Sequence, residues 1–228
     1  MAQWQDNFRA GGKNTRLGRR FDASGRFMPE HGNTVVAQVT AGSPTEAALI
    51  DLRQSLMDLP HGANFAFTDV ASYHMTVFEG VIETRREYGY WPDDLSLDLS
   101  IDAMTEAMAA KLDGFAPLPA FRMKLLEVTP HGLSLTGATP EDEATVRAWR
   151  DALAKALGYR SPEHDTYGFH TTLAYQIEWP PVEALPLYIA AMAQLTADFA
   201  ARVRVLDLDA PAFCTFADMN GFPPVRRF

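Results

Sequence analysis

Apolar residues alternate with polar ones along several short segments of the chain, and this period of two predicts β-strands. The segment "NTVVAQV" (33–39) is rich in β-branched residues and lies between two glycines. "FAFTDVASYHMTVFEG" (65–80) predicts one or two strands, and "FRMKLLEVTPHGLSLTG" (121–137) predicts a hairpin that turns at Pro130–Gly132. Two further strands are predicted at residues 169–177 and 202–210.

A period of 3.6 predicts helices between these strands. The segment 43–60 begins with Ser43 as a helix N-cap followed by proline, and a second proline ends it. The segment 139–158 has Thr139 as N-cap, an acidic first turn and a terminal glycine. Further helices are predicted at about 101–112 and 183–200. The order of strand, helix and His-x-Thr strand therefore occurs twice, as a repeat of order and motif with little residue identity elsewhere.

Composition narrows the possible partners and the compartment. The chain has 228 residues with a net charge of −9, which argues against a broad electrostatic contact with duplex nucleic acid. Cys214 is the only cysteine, so an internal disulfide and a four-thiolate metal site are excluded. The N-terminus lacks the apolar core of a signal peptide, and we see no run of roughly 18 apolar residues. We therefore expect a cytoplasmic protein, favour a monomer, and expect no membrane partner.

Two segments lack a clear period. Residues 1–30 are rich in glycine, asparagine and arginine and are interpreted as a solvated arm; the alternative is that the arm folds back and lends a cation to the active site. Residues 81–100 contain three large aromatic residues and form either a lid or a packed surface insert. The positive charges of the arm are Lys13, Arg16, Arg19, Arg20 and Arg26.

The candidate chemistry lies in two His-x-Thr motifs. Residues i and i+2 of a strand point to one face, so His74 shares a face with Thr76, and His170 with Thr172. One neutral imidazole can accept a proton from water while the other, protonated, donates one to a leaving oxygen; an ordinary pKa of about 6.5 makes both states accessible. Threonine hydroxyls can donate hydrogen bonds to phosphate oxygens. The pattern suits phosphoryl chemistry without a metal or other cofactor.

A single histidine in a strand is more often a core residue, and threonine is common in strands. The recurrence of the motif in the same place of a repeated unit favours a paired site. Three hypotheses remain open: a phosphodiesterase, a binding module that has lost turnover, and a metal-dependent hydrolase with His74 and His170 as ligands. The third lacks a further ligand at a recognisable spacing.

The motifs "HMTV" (74–77) and "HTTL" (170–173) resemble those of the 2H phosphoesterase superfamily, which includes cyclic phosphodiesterases and 2′–5′ RNA ligase-like enzymes. "GRFMPEHGNTVVAQV" (25–39) resembles the opening of a bacterial branch with no settled role, and the likeness covers about residues 15–218. It implies a single bilobal α+β domain, with two antiparallel-sheet lobes and flanking helices around a central cleft. The arm would be 1–30, the first lobe about 31–120 and the second about 121–228.

The resemblance also implies the function and the catalytic residues. It implies metal-independent hydrolysis or transfer at a cyclic (2′,3′-type) or 2′–5′ phosphodiester of a nucleotide or RNA end. Its catalytic tetrad maps onto His74, Thr76, His170 and Thr172. The insertion at 81–100 departs from minimal members and leaves the size of the substrate open.

Residues beside the motifs are candidates for binding the substrate. Aromatic side chains could stack on a base, and two arginines after the first motif could bind a phosphate as forked donors. The other histidines adjoin glycine, proline or acidic residues and are predicted to be on the surface. The substrate-binding candidates are Tyr73, Tyr167, Tyr175, Arg85 and Arg86; the predicted surface histidines are His31, His61, His131 and His164.

Overall fold

The structure, a computed structural model, describes residues 3–228 and is an α+β protein with five α-helices and nine strands in that range. The helices are α1 (Gln3–Ala10), α2 (Pro44–Met57), α3 (Ile101–Lys111), α4 (Pro140–Leu157) and α5 (Leu185–Arg202). The strands are β1 (Gly32–Gln38), β2 (Phe65–Phe67), β3 (His74–Phe78), β4 (Met123–Thr129), β5 (Gly132–Gly137), β6 (His170–Thr172), β7 (Ala174–Gln176), β8 (Ala212–Phe216) and β9 (Pro224–Arg227).

The largest sheet is antiparallel, with the order β3-β1-β8-β9. In it Gln38 of β1 pairs with His74 of β3, and Val36 pairs with Thr76. The C-terminal strands β8 and β9 join this sheet beside β1, so its hydrogen bonds cross the predicted boundary near residue 120. The predicted lobes were about 31–120 and about 121–228. The largest sheet contains strands from both ranges, so the sheets do not follow this division.

The second motif lies in a different antiparallel sheet, of order β4-β5-β6. The predicted hairpin at 121–137 is confirmed as β4 and β5, and β6 pairs with β5. The predicted strand 169–177 is interrupted at Leu173, because its second part, β7, pairs with β2 instead. β6 packs beside β3, so the two sheets meet at the His-x-Thr strands.

The predicted helices are all present, and their caps act as the sequence indicates. The Ser43 hydroxyl accepts a hydrogen bond from the backbone N–H of Glu46, and Thr139 forms a capping box with Asp142. The predicted strand 202–210 is wrong. This stretch follows α5 as an irregular segment, with one isolated bridge from Leu208 to Val39, and the strand comes after it as β8.

The N-terminal arm is folded onto the protein, so its interpretation as a solvated tail is wrong from residue 3 onward. Trp4 and Phe8 of α1 are buried, and α1 packs on α5. Phe21 is fully buried, and the buried Arg20 forms an ion pair with Glu30. Burial of these apolar side chains stabilises the folded position of the otherwise polar arm.

The segment 81–100 is a packed insert. Trp91 is buried and its indole N–H donates to the Ser96 carbonyl at 3.1 Å. Arg86 donates to the carbonyls of Leu97 and Leu99, at 2.6 Å each. These hydrogen bonds join the end of the insert to Arg86, near its start.

Among the described residues, Val182–Arg202 is long and apolar enough to cross a membrane by length and composition. The sequence predicted a helix here, at 183–200, but no apolar run of the length of a membrane span. Its buried residues face α1, α2 and β4, as in the surface helix of a globular domain, so length and composition alone are weak support for a span. Those residues are Leu185, Tyr188, Met192 and Phe199.

Candidate active site

The two His-x-Thr motifs line one cavity of about 200 Å³, which we call the central cavity. In β3, His74 and Thr76 are partly exposed toward the cavity, whereas Met75 between them is fully buried on the opposite face. In β6, His170 and Thr172 flank the buried Thr171 in the same way. Strand alternation thus places two imidazoles and two hydroxyls around one space, as the sequence predicted.

Both histidines are held by the same backbone contact. Nδ1 of His74 lies 2.6 Å from the carbonyl oxygen of Ser72, and Nδ1 of His170 lies 2.8 Å from that of Gly168. A carbonyl oxygen only accepts hydrogen bonds, so Nδ1 must carry the proton in each ring. Nε2 is then the nitrogen that gains or loses a proton in each imidazole.

The two imidazoles differ in their surroundings. His74 is enclosed by the cavity walls, and Phe222 packs on its ring with centroids 4.1 Å apart. Burial lowers the pKa of His74 to about 4, the Ser72 carbonyl opposes this shift, and the charge of His170 adds to it. His170, in contrast, is exposed to solvent. The first imidazole is therefore neutral at physiological pH.

Tyr167 lies at the junction of the two sheets and lines the central cavity, as predicted. Its phenol lies beside the Thr76 hydroxyl, and burial raises the pKa of that phenol. The buried Arg150 of α4 stacks on the Tyr167 ring at 4.0 Å and donates to the Val77 carbonyl of β3 at 2.7 Å. One guanidinium thereby joins α4, Tyr167 and the first motif.

Arginines line the side of the central cavity next to Tyr175. Arg85 belongs to it, as predicted, and its Nε and Nη2 are buried without a hydrogen-bond partner; Nη2 is 4.0 Å from the nearest oxygen of Glu79. Arg16 and Arg20 also line it, and the Arg20 guanidinium lies 5.4 Å from the Tyr175 ring centre. The arm thus brings cations to the site, which was the alternative interpretation.

Two predicted substrate-binding residues do not reach the central cavity. Tyr73 points to the opposite face of the chain from His74 and is 2% exposed within the core. Arg86 lies outside the central cavity, with its guanidinium on Glu83 and on backbone carbonyls. Side chains alternate between the two faces of a strand, so Tyr73, which precedes His74, points away from the central cavity.

The sequence analysis missed an apolar wall of the central cavity. Phe216, Met219 and Phe222 form this wall next to His74, and the rings of Phe216 and Phe222 are 5.4 Å apart. They come from the C-terminal segment, far along the chain from both motifs. No local pattern distinguishes these residues from core aromatics.

A second cavity, of about 470 Å³, shares His170 and Thr172 with the central cavity and is lined mainly by polar residues. His131 lines it, and its Nε2–H donates to Gln176 Oε1 at 2.9 Å. The surface prediction is wrong for His131, which is partly buried, and for His164, which is 3% exposed. It is confirmed for His31 and His61. Burial lowers the pKa of His131 and of His164.

The side chains available as metal ligands argue against the hypothesis of a metal-dependent hydrolase. Across residues 3–228, no three His, Cys, Asp or Glu side chains lie together in a way that could hold one metal ion. His74 and His170 therefore lack a third ligand of these types in the described part of the chain, where catalytic metal sites usually have three.

Comparisons with known proteins give the family of the chain. A conserved protein of unknown function from Agrobacterium tumefaciens str. C58, ATU0111, has a crystal structure that matches all of this chain and 99% of its own, at 43% identity and a TM-score of 0.96. No curated protein matches the chain. A family model described as 2H-phosphodiest, a domain of unknown function (DUF1868), matches residues 20–134, which include the first motif. The family name indicates a phosphodiesterase-type hydrolase, and the chain belongs to this 2H-phosphodiest (DUF1868) family.

Proposed function

We propose that the protein is a metal-independent phosphodiesterase that hydrolyses a cyclic 2′,3′-type or 2′–5′ phosphodiester of a nucleotide or RNA end. The observation that carries the proposal is the pair of imidazoles, each held through Nδ1 by a backbone carbonyl, which line one cavity together with the two threonines. The same constellation supports the bilobal interpretation, because one motif comes from each of two sheets that meet at the central cavity.

The surroundings of the two histidines support separate roles in the free enzyme. His74, which burial keeps neutral, acts as general base: its Nε2 accepts a proton from water as the water oxygen bonds to phosphorus. His170, which is exposed, acts as general acid: its Nε2–H donates a proton to the oxygen that leaves as the P–O bond breaks. Thr76 and Thr172 donate hydrogen bonds to the non-bridging oxygens.

The walls of the central cavity support a nucleotide-like substrate. The aromatic rings of Phe216 and Phe222 offer a surface for a base, while Arg85 offers unpaired donors to a phosphate. Such a ligand needs only local positive charge, which is compatible with a net charge of −9. We propose a cytoplasmic location, where nucleotides and RNA ends are abundant substrates.

The test is turnover of 2′,3′-cyclic nucleotides and of a 2′–5′ linked dinucleotide by purified protein in EDTA. We expect activity that survives the chelator and falls by about 10² to 10⁴ in His74→Ala and in His170→Ala. His31→Ala is the control, because His31 is exposed and is not among the residues that line the central cavity. Loss of activity in EDTA would count against the mechanism, and ligand binding without any product would favour the binding module.

A second substrate tests the separate roles. An aryl phosphodiester with an acidic phenol as leaving group needs little help from a general acid. We expect it to restore most of the activity of His170→Ala and little of that of His74→Ala. The reverse pattern would exchange the two roles.

A further inference from the structure

A third cavity, of about 500 Å³, adjoins the central cavity and is lined by five arginines against two glutamates. It shares Arg16, Arg20, Ile82 and Arg85 with the central cavity, so these side chains form a common wall of the two spaces. We call it the arginine cavity. Its arginines are Arg16, Arg19, Arg20, Arg85 and Arg86, and its glutamates are Glu30 and Glu87.

Three of the five arginines at this wall have an acidic partner: Arg20 has Glu30, Arg86 has Glu83, and Arg85 has Glu79 at 4.0 Å. Glu30 is fully engaged, because one carboxylate oxygen accepts from Arg20 at 2.5 Å and the other from the Thr84 hydroxyl at 2.8 Å. Arg86 is bound to Glu83 and to backbone carbonyls. Arg16 and Arg19 have no acidic partner within residues 3–228, and Arg85 reaches only Glu79, at 4.0 Å.

Those three arginines have donors to spare. Arg85 has Nε and Nη2 buried without a partner. Arg19 uses one nitrogen to donate to the Thr84 carbonyl at 3.1 Å. The side chain of Arg16 is exposed and makes no hydrogen bond or ion pair with residues 3–228. Like charges gathered around an open space, with unused forked donors, form a site for a multiply charged anion.

We infer that the arginine cavity binds a second phosphate of the substrate, so that the preferred substrate is a nucleotide phosphodiester that carries a further phosphate group. The inference rests on the proposed function, because it identifies the scissile phosphate with the His-x-Thr site. The second phosphate would bind Arg16, Arg19 and Arg85 while the scissile phosphate lies between the two histidines. Because Arg16, Arg20 and Arg85 line both cavities, one ligand with two phosphates could contact this common wall from both sides.

The test compares adenosine 2′,3′-cyclic phosphate with the same compound carrying a 5′-phosphate. For wild type we expect kcat/KM to be about 10- to 100-fold higher for the 5′-phosphorylated compound, mainly through KM. The preference should shrink as salt is raised, because salt screens charges that remain open to solvent. Arg19→Gln and Arg85→Gln should each reduce the preference by about fivefold or more.

Arg26→Gln is the matched control. It removes the same charge from the same arm, but Arg26 pairs with Asp22 and is not among the residues that line the arginine cavity. Its preference should equal that of wild type. An equal kcat/KM for the two compounds, or an equal loss of preference in all three variants, would overturn the inference.

A binding measurement separates this inference from the proposed function. Calorimetric titration of His170→Ala with both compounds gives the ratio of affinities without turnover. If neither compound is hydrolysed by wild type but the 5′-phosphorylated one binds at least tenfold tighter, the proposed function fails and the arginine cavity stands. If both are hydrolysed and bind equally, the proposed function stands and the arginine cavity does not bind phosphate.

Discussion

Nε of Arg20 lies 2.5 Å from Oε2 of Glu30, and both side chains are buried, at 8% and 5% exposure. The other oxygen of Glu30 accepts from Thr84, in the insert that follows the first motif. This contact fixes the N-terminal arm against the insert and sets Arg16 and Arg20 at the wall of the central cavity. The buried carboxylate of Glu30 therefore holds the arm in the position where its arginines line the candidate site.

We expect Glu30→Ala to lower the free energy of unfolding by about 3 to 5 kcal/mol, because it leaves the Arg20 guanidinium buried without a partner. Denaturant-induced unfolding measures this loss. The double variant Arg20→Met/Glu30→Leu should recover most of it, since it removes both charges and keeps apolar volume. A loss below about 1 kcal/mol in the single variant would show that the pair is not buried in solution.

The hydroxyl groups of the two motifs are predicted to act on the reaction rather than on folding. Thr76→Val and Thr172→Val keep the side-chain shape and remove one donor each, so we expect kcat to fall by about 10²-fold or more with little change in thermal stability. Steady-state kinetics on a 2′,3′-cyclic nucleotide measures the effect. An unchanged kcat in both variants would exclude the proposed role of the hydroxyls.

Thr171 supplies the matched control in the same strand. Its hydroxyl faces away from the central cavity and is buried without a hydrogen-bond partner. Thr171→Val should therefore keep full activity and raise the free energy of unfolding by about 1 kcal/mol, because an unsatisfied buried polar group is removed. A destabilised variant would mean that the hydroxyl has a partner in solution.

Protonation of His74 is predicted to destabilise the fold in acid. Its pKa is about 4 in the folded protein and about 6.5 when unfolded, so below pH 6.5 the unfolded state binds a proton that the native state does not. Stability is lost as the pH falls from about 6.5 to about 4, by at most about 3 kcal/mol, and less because His74 is partly exposed.

The comparison with His74→Gln isolates this contribution from His131 and His164, which both proteins retain. Urea unfolding at pH 7.5, 5.5 and 4.5 should show the variant losing less stability than wild type in acid. Parallel curves for the two proteins would indicate that His74 titrates normally in the folded state.

A glycine beside β6 is predicted to hold the second motif in place. A Cβ on Gly132 would lie 2.2 Å from the Thr171 carbonyl oxygen, and its φ of +134° disfavours other residues. We expect Gly132→Ala to cost about 1 to 3 kcal/mol and to lower kcat, since β6 carries His170 and Thr172. Gly114→Ala, with no atom within 4 Å and no positive φ, should change stability by less than about 0.5 kcal/mol.

Local patterns predicted the elements because local forces decide them. The N-caps at Ser43 and Thr139, the hairpin at 121–137 and the shared face of each His-x-Thr pair depend only on residues a few positions apart. The irregular segment 202–210 shows the limit of this approach. Its alternation is strand-like, but its pairing is limited to one bridge from Leu208 to Val39, just beyond β1, so no strand forms.

The composition of the central cavity was decided by contacts between distant segments. The sequence by itself determined which side chains share a face, and so which imidazole accompanies which hydroxyl. Only the tertiary structure decided that β6 packs beside β3, that Phe222 lies on His74 and that the arm brings Arg16 and Arg20 to the same space. Local periodicity indicates which face of a segment is buried. Which segments pair depends on the total burial of the whole chain, and no short stretch of sequence determines that total.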